Sequence, residues 1–248
     1  LHRRGTFKPR PTVMLAPNVD RATLETDAQV RAGAAKVMFT VSNTQISDSI
    51  DILKLDIDDA IRGGAKMIAV HAVEREALIA ICHVLSDLDQ PDVRFRIEHA
   101  SEAPMRVISA IANIGATVVT QPGLLYERGE RYRKERSGKL YRPSDLYPLR
   151  TFIESGITLA GGSDAPYGPY SPFDAIASAV DRRSRDGFVM GQEQTLTIEQ
   201  AFGMFTSESA ASEGIENERG RLLPGMLADF TLLDRDLYRA QPEEIRKT

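Results

Sequence analysis

The sequence repeats one pattern through most of its length, in which a short apolar run is followed by a longer amphipathic stretch. The apolar runs do not alternate cleanly between apolar and polar positions, which is typical of strands buried on both faces of a parallel sheet. We predict strands over residues 12–16, 35–40, 66–71, 93–99, 116–121 and 157–162.

Between these runs, apolar residues recur at spacings of three and four, which predicts amphipathic helices. The clearest stripes are Ile50, Leu53, Ile57, Ala60 and Ile61; Ala77, Ile81, Val84, Leu85 and Leu88; and Val107, Ile108, Ile111 and Ile114. Consecutive βα units form either an open doubly wound sheet or a closed barrel. No phosphate-binding turn of the form GxGxxG or GxxxxGKS/T follows a predicted strand, which weakens the nucleotide-binding open sheet.

The repeat therefore predicts an α/β fold, a (β/α)8 barrel that is incomplete because about six βα units account for most of the chain. The residues that follow the last of these units do not repeat the pattern. We predict one helix over Thr197–Glu213, with Thr197 as N-cap and Gln200 at the third helical position. Residues 220–233 are predicted to form a turn and a strand that belong to no βα unit.

Composition excludes several classes of protein. With 248 residues, of which 42% are hydrophobic, the chain can bury one large core. Its single cysteine, Cys82, cannot form an internal disulfide, and this usage fits a reducing, cytoplasmic location. The 31 Lys and Arg against 35 Asp and Glu give a net charge of −4, so we expect no nucleic acid and no membrane surface as partner. No apolar run approaches the ~20 residues that span a bilayer.

Polar side chains lie where the predicted strands end. His71, His99, Gln121 and Asp164 close or follow four of the runs, and Lys36 lies inside another. Parallel α/β folds gather such residues at one mouth, because the carboxyl ends of the strands converge there. Two imidazoles, a carboxylate and a buried amine form a cation-binding set. Their donors suit Zn²⁺, Mn²⁺, Fe²⁺ or Co²⁺ better than Ca²⁺ or Cu⁺.

Each of these residues also has a purely structural interpretation. A single histidine at a strand end is often a core or surface residue, and Asp164 suits a helix N-cap or a turn. Lys36 could extend its amine to solvent. Gln121, which precedes Pro122, either lines a substrate wall or closes a turn. The mixed charges of residues 127–136 favour a solvated loop over an anion-binding patch.

In these motifs the chain resembles the C-terminal part of metal-dependent amidohydrolases. It is most similar to amidohydrolase family 3, which includes exoenzyme-regulatory-protein-like and N-substituted-formamide-deformylase-like members. The resemblance runs from about Lys36 to Leu237. It is carried by KVMF, HAVEREAL, RIEHAS, VVTQP and ITLAGGSDAPYGPYSPF at the fourth to eighth barrel strands, and by LTIEQAFGMFTSESAASEG and GRLLPGMLADFTLLDRDL after them.

The resemblance implies a set of metal ligands. His71 and His99 would be the ligands of the fifth and sixth strands, and Asp164 would be the aspartate of the eighth strand. Lys36 matches the position at which binuclear relatives carry a carboxylated lysine that bridges two metals. The cofactor implied is one or two divalent ions, with Zn²⁺ favoured and Mn²⁺, Fe²⁺ or Co²⁺ as alternatives.

The resemblance also implies a reaction. A metal-activated water would hydrolyse a carbon–nitrogen bond outside peptides, in a small-molecule amide, formamide or cyclic amide. Asp164 would act as general base, and His99 would assist at the carbonyl oxygen. Gln121 and Tyr126 are candidates for the substrate wall. Deamination of an aminated ring by the same water is an alternative within enzymes.

One departure from the family pattern is the absence of the first-strand HxH pair. The first two βα units are absent as well, so we expect a C-terminal fragment of a longer enzyme or a truncated gene product. The barrel domain would then occupy residues 1–213, and part of an accessory β-sandwich residues 214–248. Open strand edges favour a homo-oligomer. The alternative from another class is a metal-free, catalytically inactive barrel that acts as a binding module.

Overall fold

The computed structural model of the chain describes residues 9–23, 30–41, 46–135 and 142–248, which contain one six-stranded parallel sheet. The order of the strands in the sheet follows their order in the chain. They are β1 (Thr12–Leu15), β2 (Arg31–Met38), β3 (Met67–Ala72), β4 (Arg94–His99), β5 (Thr117–Thr120) and β6 (Leu159–Gly161). The sheet curls into a half-barrel, which confirms the predicted incomplete (β/α)8 barrel.

In the described residues, an α-helix follows each strand from β2 to β6, as predicted. The helices are α1 (Ile46–Arg62), α2 (Arg75–Ser86), α3 (Met105–Asn113), α4 (Gly123–Glu135), α5 (Leu149–Glu154), α6 (Pro172–Asp181), α7 (Ile198–Gly203), α8 (Ser207–Ser212) and α9 (Pro242–Ile245). In the part of the chain that the structure describes, none of them has the length and apolar character needed to cross a membrane.

The two faces of the sheet have different environments. Ile68, Val70 and Ile97 are fully buried and belong to the same apolar core as the helix residues Ile57 and Ile81. Side chains alternate between the two faces along a strand. The residues next to these core positions therefore point to the inner face of the sheet, where Lys36, His71 and Glu98 line a cavity. The core therefore lies between sheet and helices, and the inner face carries the polar groups.

The segment predicted as a solvated loop over residues 127–136 is instead helical as far as it is described, because it forms most of α4. Its mixed charges are spaced for a helix: Arg131 binds Glu135 and Lys134 binds Glu130, both at 2.6 Å and four residues apart. Residue 136 lies outside the described residues.

The helix predicted over Thr197–Glu213 is divided into α7 and α8. The capping box at its start is present, since Gln200 N donates to Thr197 Oγ1 at 3.3 Å and Thr197 N donates to Gln200 Oε1 at 3.0 Å. The division occurs at Thr206, whose φ of −128° and ψ of −96° are not helical. Its hydroxyl donates to the Phe202 carbonyl at 2.9 Å and competes with the helical hydrogen bonds.

The strand predicted over residues 220–233 is not formed, and residues 214–248 contain only α9 as a regular element. A strand is stable only beside another strand that accepts and donates its backbone hydrogen bonds. No strand of the described sheet pairs with this segment, and Phe230 and Leu232 are exposed. An accessory β-sandwich is therefore not present in the described residues.

Candidate functional site

A cavity of about 660 Å³ lies on the inner face of the sheet, where the strands end. The predicted residues that line it are Lys36, His71, His99, Gln121 and Asp164. This volume is in the range of sites that bind small molecules. The structure thus brings five of the six predicted site residues to one cavity.

The position of His99 depends on its backbone. In the register of β3 and β4, His99 lies opposite Ala72, which is fully buried in the core behind the sheet. Strict alternation would direct His99 toward the same side. Its φ of +75° is left-handed, and the resulting turn directs the imidazole into the cavity. Left-handed non-glycine residues are uncommon and cluster at functional sites.

The two histidines are in direct contact. Nδ1 of His71 lies 2.9 Å from Nε2 of His99, and the ring planes are inclined by 70°. Nδ1 of His99 also lies 2.9 Å from Oε1 of Gln121. An amide oxygen can only accept, so His99 carries its proton on Nδ1 and its lone pair on Nε2, facing His71. Gln121 is the partner that fixes this tautomer.

His71 is neutral at physiological pH. Burial, followed by electrostatic interactions with His99 and Lys36, lowers the pKa of His71 to about 4, although Asp164 and Glu98 oppose the shift. A neutral imidazole keeps the lone pair that a metal ligand needs. The electrostatic environment of His71 therefore suits a ligand.

Lys36 is half-buried on β2, two residues before the residue that pairs with His71. Burial lowers the pKa of its amine, as does Arg96, while Glu98 and Asp164 raise it. A lowered amine pKa increases the fraction of neutral, nucleophilic amine.

Asp164 lies in the turn after β6, with an exposed side chain and a φ of +52°. The turn is held by its carbonyl, which accepts from Tyr167 N at 2.8 Å and Gly168 N at 3.3 Å. The carboxylate acts on the pKa of both Lys36 and His71. Among the described residues, however, no group of three or more His, Cys, Asp or Glu is close enough to hold one metal ion. The donor chemistry of the histidine pair fits a divalent cation, but Asp164 does not complete a compact ligand cluster.

The two predicted substrate-wall residues differ in position. Gln121 lines the cavity, but its side chain is buried and hydrogen-bonded to His99. Tyr126 is not among the residues that line the cavity, and its contact with substrate stays a prediction. Its ring is stacked under the Arg246 guanidinium, 4.5 Å from the ring centroid. Helical geometry directs Tyr126 away from the cavity, toward the C-terminal segment.

A family model for the amidohydrolase family matches residues 63–248, more than half of the chain. The chain belongs to the amidohydrolase family. It is 30% identical over 156 residues to an N-substituted formamide deformylase of Arthrobacter pascens, a match that covers 63% of this chain and 29% of that protein. It is also 30% identical over 190 residues to YtcJ of Bacillus subtilis (strain 168), named as an amidohydrolase, covering 73% of this chain and 36% of that one.

A solved structure of this amidohydrolase fold is also similar. An uncharacterized metal-dependent hydrolase from Pyrococcus horikoshii OT3 superposes with a TM-score of 0.80 at 21% identity, over 98% of this chain and 54% of that one. This likeness shows the fold. The chain spans about a third of the length of the two curated relatives it matches.

Sequence reasoning missed a charged cluster on the cavity floor of this amidohydrolase. Arg96 on β4 donates to Glu98 on the same strand and to Glu213, which follows α8. The side chains of Arg96 and Glu98 are less than a tenth exposed. The sequence held a signal, because Arg94, Arg96 and Glu98 alternate along a strand predicted to be buried. Charged side chains at every second position mark a polar face.

Proposed function

We propose that the chain carries the metal-binding side of an amidohydrolase that cleaves a carbon–nitrogen bond outside peptides, in an amide, formamide or cyclic amide. The observation that carries the proposal is the histidine pair, in which His71 and His99 meet in a cavity that Lys36 and Asp164 also line. The name of the Arthrobacter pascens relative supports a formamide among the substrates.

His71 and His99 would hold a divalent cation, with Lys36 and Asp164 as further ligands. Nitrogen and oxygen donors favour Zn²⁺, and Mn²⁺, Fe²⁺ or Co²⁺ are alternatives. When bound, such a cation lowers the pKa of a water toward neutrality and polarises a carbonyl group. Carboxylation of Lys36 is part of the proposal, since a neutral amine attacks CO₂ and loses a proton to give a carbamate.

Asp164 is the proposed general base. Its carboxylate would take the proton of the attacking water and pass it to the nitrogen that leaves. His99 would assist at the carbonyl oxygen as a ligand of the cation that polarises it, and Gln121 would keep His99 in the required tautomer. The size of the cavity suits a small-molecule amide.

Metal titration of the purified chain tests the binding half of the proposal. We expect at least about one equivalent of Zn²⁺ or Mn²⁺ per chain, and loss of that binding in His71→Asn and His99→Asn. His83→Asn is a matched control, because His83 is exposed on α2 and outside the cavity. Less than about a tenth of an equivalent would contradict the proposal.

Product analysis tests the reaction. The metal-loaded chain is incubated with an N-substituted formamide, an acyl amide, a cyclic amide and an aminated heterocycle. Release of a carboxylic acid and an amine supports amide hydrolysis, whereas release of ammonia from the heterocycle supports deamination. No turnover by a chain that binds metal stoichiometrically would contradict an activity of this chain.

A second candidate function is a binding module without metal. The direct hydrogen bond between His71 and His99 favours it, together with the absence of a three-ligand group among the described residues. In that case, small molecules would bind to the chelator-treated chain. Added Zn²⁺ would not change their affinity and would not cause their hydrolysis.

A further inference from the structure

We infer that the cavity contains an anion-binding point centred on Arg128, and that the substrate therefore carries a carboxylate in addition to its amide. The inference rests on the proposed function and names its substrate class: N-acyl or N-formyl amino acids and related amide-containing acids.

Arg128 differs from the neighbouring cations of its helix. Arg131 binds Glu135 and Arg133 binds Asp186, each at 2.6 Å. Arg128 lies on the same helix, α4, but is half-buried and lines the cavity. No carboxylate within the described ranges forms an ion pair with it, and its one hydrogen bond there runs from Nη2 to the Tyr167 carbonyl at 2.6 Å. A guanidinium has five N–H donors, so most of them are available to a ligand.

Hydroxyl groups surround the same part of the cavity. Tyr132 and Tyr147 line it, and their hydroxyl oxygens are 3.1 Å apart. Ser101 also lines it and is hydrogen-bonded to Tyr147. Burial raises the pKa of Tyr147 well above its ordinary value, while Arg128 and Ser101 act to lower it. A guanidinium with N–H groups facing a cavity recognises a carboxylate, often with two parallel hydrogen bonds.

Arg128 is tied to the turn that holds the proposed general base. It donates to the carbonyl of Tyr167, and Tyr167 N in turn donates to the carbonyl of Asp164 at 2.8 Å. An anion bound at Arg128 therefore shares the cavity with the histidine pair. For this reason we assign the anion to the substrate itself and not to a separate ligand.

None of the acidic residues that line the cavity forms an ion pair with Arg128 in the described part of the chain. Glu98 and Glu213 are both bound to Arg96 on the cavity floor. Asp164, the remaining acid lining the cavity, forms no ion pair with a described residue. A substrate carboxylate is thus attracted to the side of the cavity that α4 forms.

A pair of probes that differ only in charge tests the inference. N-Acetylphenylalanine and its neutral primary amide are titrated into the chelator-treated full chain, and binding is followed by calorimetry and ligand-observed NMR. We expect the acid to bind at least about tenfold more tightly than the amide. Arg128→Gln should remove this preference and Arg128→Lys should retain part of it. Arg131→Gln is the control, because Arg131 is exposed on the same helix. This variant should bind both probes as the wild type does.

Equal binding of both probes to the wild type, no binding of the acid, or a preference that persists in Arg128→Gln would each overturn the anion site. Thermal unfolding of every variant establishes that it is folded. With the metal-loaded chain, Arg128→Gln should raise KM for N-acyl amino acids and leave kcat largely unchanged. Tighter binding of the acid without any hydrolysis would refute the proposed function alone. Equally efficient hydrolysis of charged and neutral substrates would refute the anion site alone.

Discussion

Nδ1 of His71 and Nε2 of His99 are 2.9 Å apart, although the two residues are separated by 28 positions in the chain. The nitrogen of His99 that carries the lone pair is the one that accepts from His71. A cation bound between the rings needs that lone pair, so metal binding and this hydrogen bond exclude each other.

Gln121 should control metal affinity without being a ligand. Gln121→Leu removes the acceptor for Nδ1–H of His99 and frees the ring to adopt the other tautomer. We expect Zn²⁺ to bind about 10- to 100-fold more weakly, because partners of this kind orient the ligand. Gln121→Glu, which keeps an acceptor oxygen, should retain the affinity. Competition with a chromophoric chelator measures both, and equal affinities for wild type and Gln121→Leu would contradict the role.

Arg96 should be essential for stability because two carboxylates depend on it. Its side chain is 6% exposed and binds both Glu98 and Glu213. Arg96→Met leaves the buried Glu98 and the partly buried Glu213 without their partner, and we expect a loss of about 3–5 kcal/mol in the free energy of unfolding. Arg94→Met is the control on the same strand, since its ion pair with Glu216 is exposed and should contribute less than about 1 kcal/mol. Urea denaturation compares the two, and similar losses would disprove the special role of Arg96.

Arg182 should also be critical, since it is fully buried after α6. Its guanidinium donates to the carbonyls of Met190, Tyr147 and Leu146 at 2.6, 2.8 and 2.7 Å. Arg182→Ala would remove the guanidinium donor from all three carbonyls, of which Tyr147 O keeps its bond from Leu149 N, at a cost of about 3 kcal/mol or more. Arg183→Ala, at the exposed neighbouring position, should change stability little. Thermal unfolding of both variants measures the difference; a small effect of Arg182→Ala would refute the prediction.

Cys82 should be inert while the protein is folded. Burial in α2 raises the pKa of its thiol to about 11, so the thiolate that reacts with alkylating reagents is scarce at about pH 8. We expect iodoacetamide to label the native chain very slowly and the urea-unfolded chain rapidly, as followed by mass spectrometry. Because the pKa is raised on folding, the stability that this thiol contributes is lost as pH rises from about 9 through 11. Fast labelling of the native chain would contradict the buried position.

The failed structural predictions share a cause. The charges of residues 127–135 were taken as a loop signal, yet their spacing of four allows ion pairs along a helix, and the buried Leu124 and Leu125 anchor it. The apolar residues of 220–233 resemble a strand, but a strand needs a neighbour. In both cases local composition was ambiguous, and packing selected the outcome.

The sequence by itself determined the six strands, the helices that follow β2 to β6 and the strand-end positions of His71 and His99, because these depend on the local periodicity of apolar residues. Only the tertiary structure decided which groups face each other. It paired Arg96 with Glu213 across 117 residues, and gave His99 its left-handed backbone and its Gln121 partner. It also left Arg128 facing the cavity without a carboxylate in the described part of the chain. Such contacts depend on the register and curl of the whole sheet, which no short stretch of sequence encodes.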